Sequence, residues 1–458
     1  MFVSVRARVY SDHTGAYTEL PVLLTPLGVL KPLMHYCRER SHDRSLSWMN
    51  QVVRSVRMFL EYLQVNPDEH DSYRLFRNFA QRLYTGTFDR ETGLDPSGLC
   101  WPVRSGQDAA KIISSLTAFF DWLGDMRPEA TKVNPRYAGD AFDRQCDEAA
   151  YQYRRNRAFL GHTWLSNAPV GGGHRLRARR PPKVERREPP AFPEERFREL
   201  LQNGFRVGGH PDYRGMLITL LLNGAGFRES EPFHLYVEDV VPDPQNPDQA
   251  IVRIHHPRYG TAPEGWKTPD GKPGNRAAYL AHRFALSPRT ELMDRRHAGW
   301  KGGTHDGTYY KQAYWFLPEY GEWFLAIWDR YLKQIARFNR PHPFAFINLN
   351  HDPKGAMYTL TQYNRAHAAA CARIGLVVGK ALGTTPHGHR HAYGRRLSQA
   401  GVDKALIRRC MHHASLESQE VYTQPNWRES MVALQAAADH LHAKRPGGQS
   451  LAILSDID

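Results

Sequence analysis

Apolar residues recur at helical spacing over most of the chain, and alternate at strand spacing in only a few short runs. In SLSWMNQVVRSVRMFLEYLQV, residues Trp48, Val52, Val56, Phe59 and Leu63 form one stripe, with Arg54 and Arg57 off it. This predicts an amphipathic helix. A second helix is expected over 73–84. After a loop rich in Gly, Asp and Pro over 85–102, Ile112, Leu116, Phe119, Phe120 and Leu123 repeat the helical pattern. Ahead of these, 2–9 reads as a short strand and 27–40 as a helix.

From residue 193 the helical pattern resumes. YRGMLITLLLNGAGFRESEPFHL predicts a buried helix, a Gly-rich turn and a second helix. Residues 251–256 alternate as a strand. Residues 314–317 read as its returning partner, followed at Pro318 by an amphipathic helix. A short buried strand is expected at 344–348, then a helix over 360–374 with Tyr363, Ala370 and Cys371 inward. Thr385-Pro386 reads as a helix start with a hydroxyl at the cap and proline at the first helical position, and Gly401 as its stop. Asp403 suits the cap of a next helix, whose Leu406, Ile407, Cys410 and Met411 would bury one side. Ser415 suits the cap of a third helix, carrying Tyr422 and closed by Pro425, and a last helix runs from 427 to 442.

At 458 residues the chain exceeds what one hydrophobic core holds, which predicts two or three domains. Its net charge of +14 and pI near 9.5 point to a polyanion as partner, because Lys and Arg that neutralise phosphates release counterions. No apolar run is long enough to span a membrane. The amino terminus lacks the basic-then-apolar layout of a secretion signal. The five cysteines are scattered, with no Cys-x-x-Cys pair, so neither a disulfide framework nor a cysteine zinc site is expected and a reducing cytoplasm fits.

The densest chemistry lies in TPHGHRHAYGRRLSQAGVD and MHHASLESQEVYT. His387 and Arg390 stand three apart on one face of a helix, His413 follows the next helix, and Tyr422 comes nine residues later. This stretch resembles the carboxyl-terminal signature of the tyrosine recombinases, the phage-integrase family: a His-x-x-Arg helix, a Gly-His turn, then a Tyr. The usual glycine before the second histidine is His412 here. Gly224, Gly226, Arg228, Ser230 and Glu231 resemble the family's first arginine box. Helices ending in Asn134-Pro135 are similar to its amino-terminal core-binding domain.

The resemblance implies a mainly α fold with a small antiparallel β-sheet (α+β), in which a helical core-binding domain and a catalytic domain form a C-shaped DNA clamp. The divisions expected are an amino-terminal extension (1–40), the core-binding domain (41–169), a basic linker (170–193), the catalytic domain (194–445) and a tail (446–458). It implies catalytic roles for Arg228, Lys301, His387, Arg390, His413 and Tyr422. Lys301, in GWKGG, is preferred as the lysine, with Lys267 and Lys272 as competitors. The implied activity is site-specific recombination through a covalent 3′-phosphotyrosine, integrating or excising a mobile element. Alternatives are a resolvase, a type IB topoisomerase-like enzyme, or an inactive DNA-binding relative. The implied partners are double-stranded DNA, a homo-tetramer in the synaptic complex and an accessory directionality protein, with the chain cytoplasmic and nucleoid-associated.

No cofactor is expected, since nothing resembles a phosphate-binding GxxxxGK[ST] loop. His387 and His391 are spaced as zinc ligands can be, with His412 and His413 nearby. No Glu stands between the first pair in the manner of a zinc peptidase, and Arg390 would repel a cation, so no metal is expected either.

Overall fold

The structure is a computed structural model that describes residues 1–10, 13, 17–127, 134, 141–158, 161–164, 166, 176 and 189–414. It divides into two compact units, Met1–Val184 and Glu185–Asp458, so the boundary falls inside the expected basic linker. Most of that linker lies outside the described residues, as do Tyr422, the expected helices after His413 and the tail. Both units are mainly helical with small antiparallel sheets.

The first unit opens with strands β1 (Val3–Tyr10), β2 (Tyr17–Thr25) and β3 (Gly28–Val29), paired antiparallel in chain order. Helices α1 (Lys31–Arg40), α2 (Leu46–Gln64), α3 (Ser72–Thr85), α4 (Gly106–Met126) and α5 (Ala141–Arg157) follow. Ser45 and Ser105 cap α2 and α4 by accepting hydrogen bonds from backbone N–H groups of the first turn. The helical stripe is borne out in α2, where Val52, Val56 and Phe59 are buried. Residues 1–40 are not a separate extension. Leu20 and Leu23 of β2 and Leu33 and Cys37 of α1 share one core with Val52, Phe59, Phe79, Leu116 and Phe119. Strand β2 and helix α5 were not anticipated: β2 is apolar on successive positions, and α5 is largely polar.

In the second unit the apolar helix α6 (Tyr213–Gly224) is buried nearly all round, as its near-continuous hydrophobicity requires. Around it pack α8 (Pro318–Ile335), α9 (Leu360–Arg373) and α10 (Pro386–Gln399). A three-stranded antiparallel sheet is formed by β4 (Val240–Pro242), β5 (Ala250–His255) and β6 (Tyr310–Gln312). The returning strand therefore lies at 310–312, not at 314–317. The latter residues are diverted by their side chains: Tyr314 donates to Asp306 and Trp315 to the carbonyl of Ala250. Residues 344–348 are buried but form only isolated bridges to Tyr236 and Met357. The Thr385 hydroxyl makes no cap hydrogen bond, so proline alone opens α10. Asp403 caps α11 (Lys404–Cys410) as expected, and Leu406 is exposed rather than inward.

The long insertion between β5 and β6 carries α7 (Arg276–Phe284) and is held by two buried arginines. Arg276 makes a two-pronged ion pair with Asp239 and lies over the Tyr236 ring, while Arg289 donates to the carbonyls of Phe233, Tyr358 and Arg296. No helix among the described residues is long and apolar enough to cross a membrane.

Breaking a buried pair strands a charge, so Arg276→Met should cost roughly 3–5 kcal/mol of stability. Adding Asp239→Asn removes the stranded charge and should recover part of the loss. Urea unfolding of both variants checks this, and a double variant no more stable than the single one would contradict it.

Candidate active site

The site grows from the turn after α6. Gly226 takes φ +69°, and a Cβ there would stand 2.4 Å from the Tyr393 ring, so only glycine lets the chain pass this close to α10. Two residues on, Arg228 donates through its backbone N–H and its guanidinium to the two oxygens of Glu231 (2.8 and 3.1 Å). Glu231 is wholly buried and also accepts from Lys311 Nζ at 2.6 Å. Burial alone would raise its pKa, but Lys311, Arg228 and Arg390 outweigh that and hold it down at about 2.

Helix α10 brings the second arginine. Arg390 is buried, and donates through Nη1 to the carbonyl of Gly226 and through Nη2 to that of Met411 at 2.7 Å. It thus ties the Arg228 turn to the turn that presents His413. Beneath it a buried polar chain fixes the helix. Arg396 donates to Asn223 Oδ1 (2.7 Å), and Asn223 Nδ2 donates to His389 Nδ1 (3.1 Å). That leaves His389 Nε2 as the donor to His367 Nε2 (2.8 Å). Burial, with no compensating acid beside it, keeps His389 well below the usual imidazole pKa.

His387 stands at the surface at the start of α10, its ring edge-on to His391 at 4.4 Å. Its ring is partly covered by the surrounding chain, and that partial burial, then Arg390, Lys301 and Arg228, lower its pKa. His413 is buried, and burial together with Arg390 and Arg228 holds its pKa at about 3. Both imidazoles are therefore neutral at pH 7. Lys301 is exposed on the segment before β6, its charge felt by His387, and its carbonyl accepts from Lys311 Nζ at 3.4 Å. Lys267 and Lys272 lie on an exposed turn, where Lys272 pairs with Asp270. Arg228, Lys301, His387, Arg390 and His413, spread over nearly two hundred residues, thus act on one electrostatic neighbourhood. Tyr422 lies outside the described residues.

Sequence reasoning missed Lys311 and Asp306. Lys311 is fully buried on β6, between the partly buried Tyr310 and Gln312. A lone lysine in a three-residue strand gives no signal of burial. The departure from glycine at His412 does not break the turn, because His412 itself takes the left-handed conformation, φ +52°. Among the described residues no group of three or more His, Cys, Asp or Glu could hold a metal ion.

Residues 324–429 match the phage integrase family, over a span that begins in α8 and includes His387, Arg390, His413 and Tyr422. This segment, under a quarter of the chain, is similar to the phage integrase family, the tyrosine recombinases. No curated protein is matched. Among solved structures, the chain is similar to the XerH site-specific recombinase bound to difH substrate in a pre-cleavage complex. That likeness has 13% identity, 89% of this chain and 83% of that one covered, and a TM-score of 0.47. It is also similar to the Tn1549 transposon integrase in complex with transposon right end DNA (16% identity, 84% and 99% covered, TM-score 0.34). A third likeness is to the integrase from mycobacterium phage Brujita (14% identity, 91% and 94% covered, TM-score 0.25).

Several imidazoles here have depressed pKa values, among them His367, His391 and His256 at about 4 and His413 at about 3. Below the ordinary value of 6.5 the unfolded chain binds protons that the folded one refuses. Stability is therefore full above about pH 6.5 and falls as pH drops toward 4, each histidine contributing up to ~1.4 kcal/mol per pH unit. Urea midpoints measured from pH 8 to pH 4.5 should be level at first and then decline. A level response throughout would mean that these rings titrate as they do in the unfolded chain.

Proposed function

We propose that the chain is a site-specific recombinase that cuts and rejoins double-stranded DNA through a covalent 3′-phosphotyrosine at Tyr422, integrating or excising a mobile element. The observation that carries this reading is the convergence of Arg228 and Arg390 with two neutral imidazoles, His387 and His413, around one site.

Each residue has a task that its surroundings suit. Arg228 and Arg390 neutralise the non-bridging oxygens as charge builds on a pentacoordinate phosphorus. A tyrosine, with an ordinary pKa of about 10, is a weak nucleophile at neutral pH. His387, kept neutral by partial burial and by its cationic neighbours, takes the phenol proton as Tyr422 attacks. His413, also neutral, donates an N–H to a phosphate oxygen. Lys301 gives a proton to the departing 5′ oxygen as the old P–O bond breaks. The new ester keeps the bond energy, so a second 5′-hydroxyl can displace the tyrosine without ATP. The net charge of +14 on the whole chain supplies affinity for the duplex, and a synaptic homo-tetramer would align the strands.

The test is a denaturing-gel trap on nicked duplex DNA carrying the element's own end. Wild type should form a covalent adduct, Tyr422→Phe none, and Arg228→Ala roughly 10²–10³-fold less per unit time. Tight binding without any wild-type adduct would instead make the chain a non-catalytic DNA-binding relative.

A further inference from the structure

The segment 301–306 is fastened at both ends to the site. At its start, Lys311 Nζ reaches the carbonyl of Lys301 (3.4 Å) and lies 4.4 Å from the centre of the Trp300 ring, while Glu231 holds the same ammonium. At its far end, Asp306 accepts from His412 Nε2 at 2.8 Å, from the Gln312 N–H at 2.9 Å and from the Tyr314 hydroxyl at 2.6 Å. Between them, Gly303 packs so closely on the turn that a Cβ would stand 2.3 Å from the carbonyl oxygen of His412. His412 is fully buried and stacks on Phe227, the neighbour of Arg228, with ring centroids 5.5 Å apart.

A histidine held in the left-handed conformation is strained where glycine would not be. The turn needs only the backbone shape to present His413. Besides its stacking on Phe227, the imidazole adds a link glycine cannot supply, the hydrogen bond to Asp306 on the lysine segment. Building on the recombinase reading above, we infer that Asp306 and His412 are positioning residues, a latch that seats Lys301 beside the leaving 5′ oxygen by tying its loop to the His413 turn. They touch neither DNA nor the reacting atoms. Their effect is confined to the step in which the Lys301 ammonium yields its proton to the 5′ oxygen while the Tyr422 oxygen bonds to phosphorus.

Two substrates separate this from a general structural role: nicked duplex with an ordinary scissile phosphodiester, and the same duplex with sulfur in place of the bridging 5′ oxygen. A thiolate leaves without needing a proton, so loss of the acid no longer matters. His412→Gly keeps a residue suited to the turn, and Asp306→Asn keeps the shape of the acceptor. Both should slow adduct formation on the ordinary duplex by about tenfold to a hundredfold, and both should return to within about threefold of wild type on the sulfur duplex. Lys301→Ala should follow the same pattern. Equal slowing on both substrates, or none on either, would overturn the latch, as would a Lys301→Ala variant that sulfur fails to rescue. Thermal melting accompanies each variant. Loss of the folded transition in both latch variants would show a purely structural tie and would also overturn the inference. The wild-type adduct on the ordinary duplex reports separately on the recombinase reading itself.

Discussion

The second unit depends on one buried guanidinium. Arg390 spans the gap between the carbonyls of Gly226 and Met411, so the turn that presents Arg228 and the turn that presents His413 are set by the same side chain. A planar donor with a fixed fork suits that task better than a flexible ammonium would. Because the fork is rigid, the two turns cannot move independently of α10. Gly226 makes the arrangement possible by letting the backbone pass against Tyr393, whose hydroxyl in turn donates to the carbonyl of Tyr314 just beyond β6.

Gathering several cations in one place requires compensation. Glu231 provides it from beneath, sharing a fully buried carboxylate between Arg228 and Lys311. Its depressed pKa shows that the attraction of three cations exceeds the cost of burying the charge. The histidines respond in the opposite sense: burial first, and then the same positive neighbours that stabilise Glu231 as an anion, lower the pKa of His387 and His413.

The insertion between β5 and β6 extends this economy of buried charge. Arg276 and Arg289 fasten its body to the core through Asp239 and through the carbonyls of Phe233 and Tyr358, and Asp306 fastens its end to His412. A long connection that would otherwise be a loop is thus held rigid next to the site.

Much of this was legible in the sequence. Helical periodicity gave α2, α3, α4, α8 and α9 because burial of one face is a local, repeating demand. The residue types and spacing around Arg228, His387, Arg390 and His413 picked out the candidate site, since the resemblance lay in local motifs whose residues are near one another in the chain. The returning strand was misplaced because aromatic residues at 314–317 look like a strand, while Tyr314 and Trp315 in fact bond across to Asp306 and Ala250. Lys311 and Asp306 were invisible for a related reason: their roles come from partners eighty and a hundred and six residues away in the chain, Glu231 and His412. The sequence by itself therefore determined which groups are candidates for the chemistry and that His387 and Arg390 share one helix. Only the tertiary structure decided which charges are buried, which are paired and how a histidine fills a glycine's place, because burial and pairing are properties of segments brought together by folding.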